Sequence, residues 1–182
     1  MPVRAVIFDG GGVLVQGIGD RSRKARWEQR LGLEAGMLDR AIWRLPVSQR
    51  ANVGQATEDE VWQEVAQHFA LSAAEADQLR ADFFSDSVWN ETLIGFVRAS
   101  IHDHVNESMF DDMIFSAEVG LAKPDRRIYE LALDRLRVQP VEAIFVDDVQ
   151  ENVEAAQAIG MAGVRFVSTE QTIADIEQYL KV

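Results

Sequence analysis

The run VRAVIFDGGG, residues 3 to 12, carries the first decision about the fold. Val3, Ala5, Val6, Ile7 and Phe8 make a short apolar, largely β-branched stretch that breaks at Asp9 into three glycines, Gly10, Gly11 and Gly12. A short apolar run bounded by turn residues is how a buried strand reads, so a strand over Val3 to Phe8 is expected, ending in a loop that begins at Asp9.

Outward from this strand the pattern becomes helical. From about Gly17 to Val88 there are turn signals at Gly32, Gly36, Pro46 and Gly54 and no strand-like run, which predicts an all-helical insertion over residues 17–88. Thr57 with Glu60 and Ser72 with Glu75 have the spacing of capping boxes, and Val61, Val65 and Phe69 recur as one buried helix face. Near Met113 the period changes again. Met113 to Ala117 reads as a strand, Pro124 opens a helix carrying Ile128, Leu131, Ala132 and Leu136, and Ala143 to Val146 reads as another strand. Glu151 to Ile159 follows as a helix stopped by Gly160, then a last strand over Gly163 to Val167, then a terminal helix with Ile173, Ile176 and Leu180 inward. Alternating units of this kind predict an α/β fold: a parallel sheet with helices on both faces, formed by residues 1–16 and 89–182, with functional groups at the carboxyl ends of the strands.

The chain has 182 residues, of which 47% are hydrophobic and 26% charged, the balance of a globular protein with a substantial core. Eighteen Lys and Arg against thirty Asp and Glu give a formal charge of -12, which repels nucleic acid and anionic lipid, so neither is expected as a partner. There is no cysteine, which removes thiolate chemistry and Cys-type zinc sites and fits a reducing compartment. The apolar start is too short for a signal peptide and no stretch approaches the ~20 apolar residues of a membrane span, so a cytoplasmic location is expected. Oligomeric state is not legible.

Three polar features from distant parts of the chain fall where strands should end: Asp9, Lys123 before Pro124, and the adjacent pair Asp147 and Asp148. An aspartate in a turn is commonplace. Two adjacent carboxylates at the mouth of a buried strand are not, because like charges raise each other's pKa unless a cation compensates. A hard metal ion is the economical compensation, and Asp9 with Asp148 and backbone oxygens would suit magnesium. Asn152, on the first turn of the next helix, could orient those carboxylates.

These motifs resemble those of the haloacid dehalogenase-like hydrolase superfamily, in the branch with a helical cap after the first motif. VIFDGGGVL (6–14) resembles the family's first motif, FSAEVGLAKPD (115–125) its third and FVDDVQEN (145–152) its fourth. The resemblance implies a Rossmann-like core, a cap over residues 17–88 and a phosphatase acting on a small phosphorylated metabolite. In it Asp9 would be the nucleophile that forms an aspartyl-phosphate, and Lys123 would screen charge between it and the phosphate. Mg2+ would be held by Asp9, Asp148 and the Gly11 carbonyl with Asp147 and Asn152 in support, and the amides of Gly10, Gly11 and Gly12 would approach the phosphate.

The chain departs from the family pattern twice. Gly11 stands where the family's phosphatases usually carry a second Asp as general acid and base, a loss typically worth ~10²- to 10⁴-fold in rate. The family also places a strand ending in Ser or Thr before Met113, whereas residues 89 to 112 read as helix throughout and Ser100 follows no buried strand. Because that strand would lie beside strand one, a segment near Phe96 to Ile101 is expected to be missing. Two alternatives stay open: a catalytically impaired protein of the same fold that binds phosphate or a partner, and a carbon-halogen hydrolase. The uncompensated Asp147 and Asp148 pair speaks against the second. A phosphoacceptor signalling domain would place its acidic pair after the first strand, not after a late one.

Other residues have simpler readings. His102 and His104 diverge on a helix and are expected to be solvated, like His68 on a helix face. Trp27, Trp43 and Trp62 are expected in the core of the helical region, with one at most facing a cleft. Arg21, Arg23, Lys24 and Arg26 read as a solvated helix face.

Overall fold

A computed structural model describes residues 2–16, 21–85, 87–101 and 110–181. They form two compact units: Met1–Gln16 with Trp89–Ile114 and Lys123–Val182, and Gly17–Val88 with Phe115–Ala122.

The strands are β1 (Ala5–Phe8), β2 (Val15–Gln16), β3 (Val88–Trp89), β4 (Ala143–Asp147) and β5 (Ala162–Arg165). β1, β4 and β5 make a three-stranded parallel sheet in the order β1-β4-β5, while β2 and β3 pair as a separate ribbon. Ala5 lies opposite Ala143 and Phe8 opposite Val146, so Asp9 and Asp147 emerge side by side at the same end of adjacent strands. β4 is central and every one of its residues is buried, which is why it reads as an unbroken apolar run. Among the described residues β4 is the sole neighbour of β1 in the sheet.

The helical unit begins with α1 (Arg21–Leu31), α2 (Leu38–Trp43), α3 (Pro46–Asn52), α4 (Glu58–His68) and α5 (Ala73–Phe83). Both expected capping boxes are present, at the starts of α4 and α5. Trp27, Leu38, Ile42, Val47, Val61, Trp62, Val65, Leu79 and Phe83 form its core, with Phe69 packed against them. Trp27 Nε1 donates to Asp82 at 3.0 Å, and the buried Glu28 carboxylate accepts the Leu38 amide at 3.1 Å, capping α2 where Met37 offers no side chain. Trp43 is the exception among the three tryptophans: it remains 45% exposed with its ring edge-on to Phe83. Two residues depart from the solvated basic face: Lys24 turns inward to pair with Asp39 at 2.5 Å and lie over the Phe83 ring, and Arg23 pairs with the buried Asp82 at 3.6 Å. His68 is exposed at the end of α4, and His102 and His104 lie outside the described residues.

Continuing along the chain are α6 (Glu91–Ile101), α7 (Ser116–Val119), α8 (Arg126–Leu136), α9 (Gln150–Ala158) and α10 (Thr169–Leu180). Leu93 and Ile94 of α6 and Ile176 of α10 share a core with Ile144, Val146 and Val164 on one face of the sheet. On the other face Phe145 meets Tyr129 of α8 edge-on, ring centroids 5.1 Å apart. α9 packs on β5 where Gly163 leaves room: a Cβ there would come within 2.8 Å of Val153 Cγ1. The helices thus cover both faces, and the α/β fold expected from the alternating pattern is the one observed.

Three expectations fail locally. Met113 to Ala117 is not a strand: Met113 and Phe115 are exposed, and Ser116 opens the short α7, which Gly120 ends at φ 68°. A strand needs a neighbour for its backbone groups, and the described sheet provides none there. Pro124 does not itself open a helix, because α8 starts at Arg126 with Asp125 as its cap, the Lys123–Pro124 peptide being cis. Of the helix expected throughout 89 to 112, the described residues show α6, which runs unbroken across Phe96 to Ile101 and includes Ser100, while Trp89 belongs to β3 and 110–112 are not helical.

Candidate functional site

Asp9 follows the last residue of β1, and its amide donates to the Val146 carbonyl at 2.8 Å, so the neighbouring strand fixes its backbone. β4 ends on Asp147, which is fully buried, and Asp148 follows it, exposed at the rim. One carboxylate oxygen from each of Asp9, Asp147 and Asp148 lies within 4.8 Å of the others. Lys123 enters from the segment before α8. Its Nζ donates to Asp9 Oδ1 and, at 2.5 Å, to Asp147 Oδ2. Asn152, in the first turn of α9, donates through Nδ2 to both Asp147 oxygens at 3.1 and 3.2 Å, and the Val149 amide adds a bond at 2.8 Å. All these residues belong to the sheet unit.

The glycines after Asp9 do not act alike. Val15 donates to the Gly10 carbonyl at 2.8 Å and Gly12 donates to the Val15 carbonyl at 2.9 Å, so the turn spends one group of each and passes over the Gly11 peptide. The Gly12 amide is therefore engaged within the loop. Gly12 sits at φ +87°, and a Cβ there would lie 2.8 Å from Asp148 Oδ2, so only glycine lets the loop reach the acidic cluster.

The electrostatics follow from crowding three carboxylates around one ammonium. Burial pushes the Asp9 carboxyl above its ordinary value; Lys123 works against that shift and Asp147 adds to it. Asp148 is likewise raised by desolvation, then by Asp147 and Asp9. For Lys123 burial alone would lower the pKa, but Asp9 and Asp147 outweigh it and hold the group above the usual lysine value. With all groups ionised, three negative charges face one positive one, an excess that a divalent cation would cancel. The donors are all oxygens, which is the set magnesium prefers, so the residues fit that ion. Sequence reasoning missed Tyr129, whose hydroxyl donates to the Asn152 carbonyl at 3.0 Å. Its place beside Ile128, Ala132 and Leu133 on one stripe of α8 signalled burial, but nothing local signalled that partner.

Comparison with known proteins bears on this geometry. A family model described as haloacid dehalogenase-like hydrolase matches residues 92–160. The chain is 27% identical over 205 residues to the mouse (Mus musculus) protein named acyl-CoA dehydrogenase family member 10, covering 97% of this chain and 19% of that one. That alignment is longer than the 182-residue chain, so the relative carries residues with no counterpart here. It is also 40% identical over 75 residues to sesquiterpene phosphatase astK of Aspergillus oryzae, covering 41% of this chain and 38% of the relative. The chain thus spans well under half the length of these curated relatives. A HAD family enzyme of Bacteroides thetaiotaomicron, solved in complex with magnesium and inorganic phosphate, superposes with a TM-score of 0.63 at 19% identity, covering 90% of this chain and 93% of that one. Among the described residues no helix is long and apolar enough to cross a membrane.

Proposed function

We propose that the chain is a haloacid dehalogenase-like hydrolase, the family whose model matches residues 92–160, and that it is a magnesium-dependent phosphatase of a small phosphorylated molecule, with Asp9 as nucleophile. The observation that carries this reading is the Asp9 carboxylate held by Lys123 beside Asp147 and Asp148 at the mouth of two adjacent parallel strands. Relatives named as phosphatases, such as the A. oryzae protein, support it.

Asp9 must attack as the carboxylate. Burial works against ionisation, and Lys123 favours it, so the lysine holds the nucleophile charged while also presenting a cation to the incoming phosphoryl oxygens. A carboxylate oxygen of Asp9 bonds to phosphorus as the bond from phosphorus to the leaving oxygen breaks. Water then attacks the phosphorus of the aspartyl-phosphate, releasing inorganic phosphate and freeing Asp9. Magnesium held by Asp9, Asp148 and the Gly11 carbonyl, with Asp147 and Asn152 behind them, would neutralise charge on the transferring oxygens. Asn152 and the Val149 amide keep Asp147 aimed at Lys123. Gly11 supplies no side-chain acid for the leaving group, so its proton comes from water and turnover is slow by ~10²- to 10⁴-fold against a site with a positioned acid.

Gly11 also favours a second reading, a phosphate-binding protein of the same fold without turnover. Phosphate release from an aryl phosphate, with and without Mg2+ and with Asp9→Asn as control, separates the two. Metal-dependent release that the variant lacks is the expected result. Release that survives Asp9→Asn would remove the nucleophile assignment, and none from the wild type would favour the binding protein.

A further inference from the structure

We propose that Tyr129 is a positioning residue for the acidic cluster, acting through the first turn of α9 to hold Asn152 against Asp147. The role rests on the phosphatase reading only for its effect on turnover.

Tyr129 is 2% exposed, and its ring edge packs on Phe145, whose ring centroid also lies 5.6 Å from Lys123 Nζ. A phenylalanine would satisfy that packing. Burying a hydroxyl as well is unfavourable unless it is bonded, and here it donates to the backbone carbonyl of Asn152, 23 residues away. That carbonyl belongs to a helix start that lacks the usual lock, since Val149 at the N-cap of α9 provides no side-chain hydrogen bond. The same turn carries the Asn152 amide, which spans both oxygens of the fully buried Asp147. The Tyr129 bond therefore ties α8 to the one turn whose placement decides where that amide sits. Asp147 in turn receives Lys123, which also holds Asp9. Burial, then Asp147 and Asp9, raise the phenol pKa, so the hydroxyl is a donor at neutral pH.

The test is Tyr129→Phe, which keeps the ring, measured alone and in an Asn152→Ala background. The backbone carbonyl that Tyr129 bonds survives in Asn152→Ala, whereas the amide it is said to position does not. In 15N-labelled protein without substrate, hydrogen exchange at the Asn152 side-chain amide should speed up by roughly fivefold in Tyr129→Phe, the weight of one ordinary hydrogen bond. Aryl phosphate turnover should fall by a similar factor in kcat with KM little changed, and that fall should vanish in the Asn152→Ala background. Unchanged amide exchange overturns the proposal, as does an equal loss of kcat in both backgrounds, which would make Tyr129 a packing residue. If the wild type shows no turnover, the phosphatase reading fails alone, because the exchange measurement still decides the role of Tyr129.

Discussion

Replacing Lys123 with Met removes the one cation that three clustered carboxylates share and leaves most of the side-chain volume in place. Asp147 has no exposure to solvent and keeps only the Val149 amide and Asn152, while Asp9 and Asp148 lose their counter-charge. Breaking a buried pair by deleting one partner costs ~3–5 kcal/mol. The lower end applies because the side chains of Lys123 and Asp9 retain 21% and 23% exposure. About 3 kcal/mol corresponds to roughly 6–12 °C in Tm for a chain of this size. The deficit should depend on pH with a definite sign. Asp9 and Asp148 already titrate above their ordinary value, and without the ammonium they rise further. A carboxyl whose folded pKa exceeds its unfolded one contributes stability that is complete below the unfolded value and is lost as pH rises through the folded value. The Tm gap between Lys123→Met and wild type should therefore narrow from about pH 7.5 to about pH 5. If the proposed metal site is right, Mg2+ should raise the melting point of the variant more than that of the wild type, since the site would have lost its one positive charge. Thermal melts at both pH values with and without Mg2+ measure this. A variant as stable as wild type at neutral pH, or a gap that widens on acidification, would refute the account of the cluster.

Gly12→Ala should lose ~1–2 kcal/mol from a side chain at positive φ and weaken Mg2+ binding by displacing Asp148, with Gly10→Ala, which meets nothing within 4 Å, as the control in calorimetric titration. Gly54→Ala should lower Tm further than Gly36→Ala does. Both sites have positive φ, but a Cβ at Gly54 collides with the Ala117 carbonyl while one at Gly36 meets open space. Thr57→Ala removes the side chain that accepts the Glu60 amide at 3.2 Å, and should cost about 1 kcal/mol in a denaturant melt without altering metal binding.

The parts of the fold that were legible in the sequence are those whose signals are local. β4 is buried along its whole length, so the short apolar run Ala143 to Val146 reads as a strand, which the structure extends to Asp147, and the two capping boxes are made by residues three apart. The acidic cluster was legible as well, because strand ends are where a parallel sheet presents polar groups, and Asp9, Lys123, Asp147, Asp148 and Asn152 do converge. What was illegible depended on partners far along the chain. Trp27, Trp43 and Trp62 look alike in sequence, yet packing buries the first and last and leaves Trp43 exposed. Lys24 reads as solvated from its basic neighbours, and only Asp39 and Phe83 turn it inward. Met113 to Ala117 has strand-like composition, but strand character needs a neighbouring strand as well as suitable residues.

That neighbour bears on function more than on stability. Among the strand pairings of the sheet, the acidic cluster draws on β1-β4: Asp9 is fixed by its amide bond to Val146, Asp147 closes β4, and Lys123 bridges them. None of these contacts requires a strand on the other side of β1, where the described residues place none. In the family whose motifs the chain resembles, the Ser or Thr that bonds the phosphate would come from such a strand, and a mouse relative carries residues without counterpart here. A chain without such a strand would keep the three carboxylates and Lys123 together and would lose a contact to a phosphate. The two sets of contacts are therefore separable. Affinity for a divalent cation reports on the carboxylates, affinity for phosphate reports on what flanks β1 on its other side, and a chain strong in the first and weak in the second is the outcome expected from the sheet of the described residues.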